Sequence, residues 1–306
     1  MNAAFCLLLY GAVLTWQGPP VLYRLTRSGR SPRLSVTVWL TVIGLAVGVW
    51  LTAGFTVLRE LASVHPAGRV RYCLDMLLAL NHVGWAGHVA LVVVGAAALA
   101  TSAIVARRVV GTLRQFCRRS REHADAARIA GLATDDPGVV VLLTDEPTAY
   151  CVAGRPHTIV VTSGAVQTLD DDELAALLAH EQAHVAGRHT ELLMLLRALA
   201  TAMPRLPLFS ASVHAVGALV EMRADDSAAR RHGREPLLSG LARLAGHSPV
   251  VAGVTLGAAA TAVTARAVRL STPVGWMSQF VHRLALSGTL TMITGAPVVI
   301  TLLCHR

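Results

Sequence analysis

The 25 residues from Leu34 to Leu58 carry no charged side chain. As a helix rising about 1.5 Å per residue they extend ~37 Å, enough to cross a hydrocarbon core of ~30 Å. Three more apolar runs follow the same pattern. Ala3 to Trp16 extends to about Leu22 through Gly18-Pro19-Pro20. It has no charged leading segment and no clean small-residue cleavage site, so it reads as an uncleaved span rather than a signal peptide. Met76 to Ala106 is uncharged with its best core from Trp85 onward, and Leu284 to Leu303 holds Pro297 as a candidate kink. Composition agrees, with 54% hydrophobic and 15% charged residues where soluble domains carry about half and a quarter. The expectation is a mostly α membrane protein of about four transmembrane helices. Three (about 3-22, 34-58 and 84-106) form an N-terminal region of residues 1-106. A soluble domain occupies 107-283 and a last helix 284-306.

The net charge of +9 comes from arginine alone, since the chain contains no lysine. Arg24, Arg27, Arg30 and Arg33 follow the first run without an acid. Arg107, Arg108, Arg114, Arg118, Arg119 and Arg121 follow the third. Between them, Arg59, Arg69 and Arg71 are offset by Glu60 and Asp75. Positive connections stay in the cytosol, which places the N-terminus outside and residues 107-283 inside, as in a multi-pass protein of a bacterial plasma membrane. Charges at the ends of apolar runs anchor to lipid, so no direct nucleic-acid binding is expected. The five cysteines include no C-x-x-C pair and suggest no cysteine metal site. The histidines His82 and His88 lie in or near the third run and read as interfacial.

The soluble segment begins with strand patterns at Gly138 to Leu143 and Thr158 to Thr162, and Gly154-Arg155-Pro156 turns the chain between Ala149-Val152 and the second of these. Helical patterns follow, so the domain is expected to be α+β with a small antiparallel sheet. Leu192 to Val220, broken by Arg197, Arg205 and two prolines, reads as two helices. Leu244 to Ala265 is rich in Ala, Gly, Thr and Val, which suits a buried or membrane-leaning helix better than a fifth span.

Within the helical part stands His180-Glu181-Gln182-Ala183-His184, an H-E-x-x-H pattern. Histidines four apart on a helix share a face, so both imidazoles can reach one ion, and the intervening glutamate can hold a water beside it. Asp170 and Glu173 form a capping box at the start of this helix, and Gly187 is a plausible stop. An ordinary amphipathic helix with two surface histidines is the alternative. A catalytic zinc uses three protein ligands. His189 nearly completes H-E-x-x-H-x-x-G-x-x-H but arrives one residue early. Glu221, in Glu221-x-x-x-Asp225, is the better candidate, and Gly217, Ala224 and Ala228 would let its helix come close to the first. Asp225, one turn on, can hydrogen-bond a ligating histidine and fix its tautomer.

These motifs, with the T-I-V-V-T strand ahead of them, resemble the gluzincin membrane peptidases. The layout of three spans, a protease and a final span is similar to the BlaR/MecR branch; the HtpX-like and CAAX-prenyl-protease branch shares the motifs. Gln182 stands where a leucine is more usual, and His189 where that branch tends to carry an acid. No counterpart of the branch's penicillin-binding sensor follows the last span, so the sequence offers no ground for beta-lactam binding. The resemblance implies Zn2+ held by His180, His184 and Glu221, with Glu181 as the general base that also protonates the leaving amine. It implies a protein substrate, such as a BlaI/MecI-type transcriptional repressor, held along the Thr158 to Thr162 strand. His232 and Arg230 are candidate oxyanion donors. An HtpX-like quality-control protease and a non-catalytic membrane scaffold are the alternatives, and self-association is left open.

Overall fold

The computed structural model describes residues 3–62, 85–247, 256–272 and 275–304; His82, Arg69, Arg71 and Asp75 lie outside them. The first apolar run forms two helices, α1 (Ala3–Trp16) and α2 (Gly18–Thr26), parted at Gln17. The prolines that close the run open α2 without loss, because the first turn of a helix has no N–H partners to give up. α3 spans Pro32–Ala62. Three helical segments among the described residues are long and apolar enough to cross a membrane: 32–52, 95–130 and 276–302. The 14-residue α1 is shorter than a crossing requires, so the expected count of four drops to three by this measure.

The expected boundary at residue 106 falls inside a single helix. α4 runs unbroken from Trp85 to Ala130, since arginines are good helix formers and a change from apolar to basic residues breaks no hydrogen bond. Four strands follow: β1 (Leu132–Ala133), β2 (Val139–Leu142), β3 (Ala149–Val152) and β4 (Thr158–Thr162). The sheet is mixed rather than antiparallel. Its order is β1-β2-β4-β3, and β2 and β4 pair in parallel with Val140 opposite Val160. The β3–β4 hairpin is antiparallel, as the Gly154-Arg155-Pro156 turn suggested. β4 is therefore a central strand, buried throughout its length, and has no free edge for a substrate. The edge strands are β1 and β3, and the edge next to β4 is that of β3.

The helices after the sheet are α5 (Ser163–Thr168), α6 (Asp171–Ala186), α7 (His189–Ala202), α8 (Pro207–His232), α9 (Arg234–His247), α10 (Leu256–Ser271) and α11 (Trp276–Cys304). The two helices expected across Leu192 to Val220 are α7 and α8. The Leu244 to Ala265 run is shared between the end of α9 and most of α10, with 248–255 outside the described residues.

One apolar core joins α3 and α11 to α7 and α8. Trp39, Val42 and Leu286 pack with Leu196, Leu208, Val216 and Val220, all nearly free of solvent. Trp39 also donates its indole N–H to Thr26 Oγ1 at 3.1 Å, tying α3 to α2. α6 and α8 meet through Ala176, Ala179 and Ala228, whose small side chains bring the two backbones close. Gly217 belongs to a different contact; the space beside it holds Leu193 of α7.

Candidate metal centre

α6 starts where its local chemistry dictates. Asp170 accepts from the Glu173 backbone N–H at 2.9 Å, and Glu173 returns the bond to the Asp170 N–H at 3.0 Å. The Glu173 side chain is itself buried, bound by Ser239 and by Arg243 Nε at 3.2 Å, which fixes the helix start against α9. The helix stops at Gly187, but this glycine is not the left-handed residue. Its φ is −82°, and Arg188 takes the left-handed turn at φ 49°. Gly187 is glycine for space: a Cβ there would collide with the His189 imidazole folded back over it.

His180, Glu181 and His184 are all buried on one face of α6. His180 Nε2 and His184 Nε2 lie 3.1 Å apart. Glu221 of α8 approaches both, at 3.5 Å from His180 Nε2 and 3.4 Å from His184 Nε2. The helical phase of E-x-x-x-D then brings Asp225 to His180 Nδ1 at 3.1 Å. The His189 and His184 Nδ1 atoms lie 3.0 Å apart. For His184 to turn an Nε2 lone pair toward an ion, its Nδ1 must carry the proton and donate a hydrogen bond to His189 Nδ1. His189 thus lies behind His184 and outside the His180–His184–Glu221 cluster.

The three ligand atoms fit a zinc ion. Bonds of ~2.0–2.1 Å in a tetrahedral arrangement place ligand atoms about 3.3 Å apart. The two Nε2 atoms are 3.1 Å apart, His180 Nε2 is 3.5 Å from Glu221 Oε2 and His184 Nε2 is 3.4 Å from Glu221 Oε1, so a carboxylate turned between the two imidazoles can complete the set. Among the described residues these three form the cluster suited to a metal.

A residue that sequence reasoning missed completes the site. Arg266 of α10 grips Asp225 with two bonds, Nε to Oδ2 at 2.9 Å and Nη2 to Oδ1 at 2.6 Å, and reaches Glu221 Oε2 with Nη1 at 3.3 Å. Its one visible signal was to be the lone charge at the end of an Ala/Thr/Val run. By contrast, His232 and Arg230 are exposed in the last turn of α8 and make no contact with the ligands. His157 pairs with Glu191 at 2.7 Å, away from the cluster.

These contacts set the charges. Burial pushes Asp225 up, but Arg266 and His180 outweigh it and hold the carboxyl at about 2. Glu221 is likewise lowered, its desolvation overcome by the two histidines and Arg266. Glu181 moves the other way. Burial dominates and Glu221 adds repulsion, while His180, Arg266 and the Cys151 backbone N–H oppose them, leaving it at about 7. That N–H comes from β3: facing Glu181, it points away from β4, as the free edge requires.

Residues 113–246 match the model of Peptidase family M48. Curated proteins with similar stretches are the Protease HtpX homologs of Salinibacter ruber, 34% identical over 86 residues (28% of each chain), and of Methanopyrus kandleri, 33% identical over 104 residues (29% of this chain, 33% of that one). A third, from Acidiphilium cryptum, is 39% identical over 56 residues, 18% of this chain and 20% of the other. The chain thus covers a third or less of the relatives it matches. No solved structure matches it. The likeness is to M48 metallopeptidases, and these relatives do not name the BlaR/MecR branch that the layout suggested.

Proposed function

We propose that the chain is an integral-membrane, zinc-dependent endopeptidase of the M48 type whose active site opens to the cytosol. The observation that carries this reading is the cluster of His180 Nε2, His184 Nε2 and the Glu221 carboxylate, with Glu181 next to His180 on the same face of α6. When bound, zinc supplies Lewis acidity, polarising a carbonyl and making water acidic near neutral pH. Everything else is done by the chain. Asp225 and His189 hold the two imidazoles in the tautomers that present Nε2. Glu181, lifted to about 7, is matched to taking a proton from water and releasing it to an amine leaving group at neutral pH. β3, at the free edge beside α6, offers backbone groups to an extended peptide, a role earlier assigned to Thr158–Thr162. Such a binding mode takes a protein substrate in extended form.

Two substrate classes fit. The layout expected from the sequence suggests regulated cleavage of a BlaI/MecI-type repressor, although it counts three spans ahead of the domain where the described residues hold two helices long enough. The HtpX relatives favour quality control of membrane proteins. A non-catalytic scaffold has no use for a buried glutamate with a base-like pKa. The deciding experiment co-expresses wild type or Glu181→Ala with a small winged-helix repressor and, separately, a misfolded multi-span protein. Wild type should cleave one of them and Glu181→Ala neither, while both retain zinc. Equal cleavage by the two chains would refute the enzyme.

A further inference from the structure

Between the soluble domain and the apolar helices lies a cavity of about 820 Å³ that the peptidase reading leaves without a role. Arg30 and Arg33 at the entry to α3, Arg283 of α11, Arg223 and Arg230 of α8 and Arg234 of α9 all line it. Among the described residues none of these six has an ion-pair partner. The one carboxylate among the described residues lining it, Asp226, is already occupied, with both oxygens 2.8 Å from Arg269 Nη2. Such a concentration of like charge opposes folding unless something neutralises it. Arg223 feels it directly: burial, and then the charge of Arg33, push its guanidinium below the usual range.

The cavity also holds an unused donor. Ser31 lines it and is 7% exposed, yet its Oγ has no hydrogen-bond partner. A serine just before a helix ordinarily turns its oxygen back to cap the first N–H groups. Ser31 does not, so its hydroxyl and the positive end of the 31-residue α3 remain available in the same space as the arginines.

We propose that this cavity binds a phosphate group, and that its occupant is the headgroup of an anionic phospholipid. Arginine forks, a hydroxyl and a helix N-terminus are the donors that phosphate oxygens require. Position selects the lipid. Arg33 directly precedes the charge-free run Leu34 to Leu58, and Arg283 directly precedes Leu284 to Leu303. α3 begins at the cavity, the first turns of α11 line it through Gln279, Arg283 and Ser287, and both helices run on into their apolar stretches, so the cavity sits at headgroup depth when these helices cross a bilayer. Basic pockets between spans on the cytosolic side suit such headgroups. The inference rests on α3 and α11 being spans and is independent of peptide cleavage.

The test uses the purified full chain in a neutral detergent, with binding and thermal unfolding measured against four probes. These are dioctanoyl phosphatidylglycerol, dioctanoyl phosphatidylcholine, inorganic phosphate and a deca-glutamate peptide. Phosphatidylglycerol should bind at least tenfold more tightly than the other three and raise the melting temperature. Arg33→Gln combined with Arg223→Gln should weaken it tenfold or more, while Arg205→Gln, an exposed arginine elsewhere, should not. The double variant removes mutually repelling charges, so its lipid-free melting temperature should equal or exceed that of wild type. If it melts lower, Arg33→Lys with Arg223→Lys, which keeps the charge, carries the test and should retain the phosphatidylglycerol preference. Equal binding of the two lipids, or an unchanged double variant, overturns the proposal. Phosphate binding as tight as phosphatidylglycerol replaces the lipid with a soluble anion, and tighter deca-glutamate binding replaces it with an acidic peptide.

Discussion

His180 Nδ1 lies 3.1 Å from Asp225 Oδ1, and Arg266 donates to both oxygens of the same carboxylate. Asp225 is fully buried, so its charge depends on both neighbours. Asp225→Asn keeps the shape and loses the charge; zinc affinity should drop ~10–100-fold. Arg266→Met should be worse for the fold, because it strands a buried carboxylate, at about 3–5 kcal/mol. Adding Asp225→Asn to Arg266→Met should then recover much of the loss in thermal unfolding. An Arg266→Met chain as stable as wild type would show that the pair is dispensable.

Zinc binding should strengthen with pH. Burial disfavours a charged His180, but Asp225, Glu221 and Glu181 prevail and raise it to about 9. For His184, burial dominates, the charges of His180 and Arg266 reinforce it over the opposing Glu221, and the imidazole titrates at about 4. At neutral pH the metal-free site therefore binds one proton where zinc must go. Affinity should increase about tenfold per pH unit from 7 toward 9 and level off above, as read with a competing chromophoric chelator. The same raised pKa makes the His180 contribution to metal-free stability complete below about 6.5 and lost as pH rises through 9. A flat affinity profile would mean that His180 is already neutral.

Gly187→Ala should disturb the site without touching a ligand. The added methyl must displace the His189 ring, which is 1% exposed and has little room to move. Overpacking of this kind costs about 1–3 kcal/mol. If ring displacement is the cause, Gly187→Ala should cost almost nothing in a His189→Ala background, and a thermal-melt double-mutant cycle measures the difference.

At the other end of α6, Asp170→Ala loses one cap, worth about 0.5–2 kcal/mol. Glu173→Ala should cost more, since it also strips Ser239 and Arg243 of their partner. Reversal of that order in the melting temperatures would assign the helix start to Asp170 alone.

Reporters fused at positions 65 and 125 should lie on opposite sides of the membrane, with 125 in the cytosol. A shared side would overturn the arginine-based orientation.

The sequence made plain what is set within a few residues. H-E-x-x-H, E-x-x-x-D and the capping box are helical-phase relationships, and each reappears as a measured contact. Pairings over long separations were not legible. Nothing near Arg266 in the sequence announces Asp225, 41 positions earlier. The parallel pairing of β2 with β4 depends on a hairpin strand, β3, passing to the outside of the sheet, and alternation within strands is blind to that order. The continuity of α4 was hidden for a different reason. A switch from apolar to basic residues changes the surroundings of a helix, and it was read as the end of one.

That continuity has a mechanical meaning. At ~1.5 Å per residue the 46 residues of α4 make a rod about 69 Å long. Near its far end, Ala124 and Ala127 are packed against Val140, Val152 and Val160. Val152 neighbours Cys151, whose N–H reaches Glu181. A rod with no joint converts tilt into travel: one degree about its apolar end moves the other by roughly 1.2 Å, given that rise per residue. The tilt of α4 and the place of the β3 backbone beside Glu181 are thus set by one continuous element.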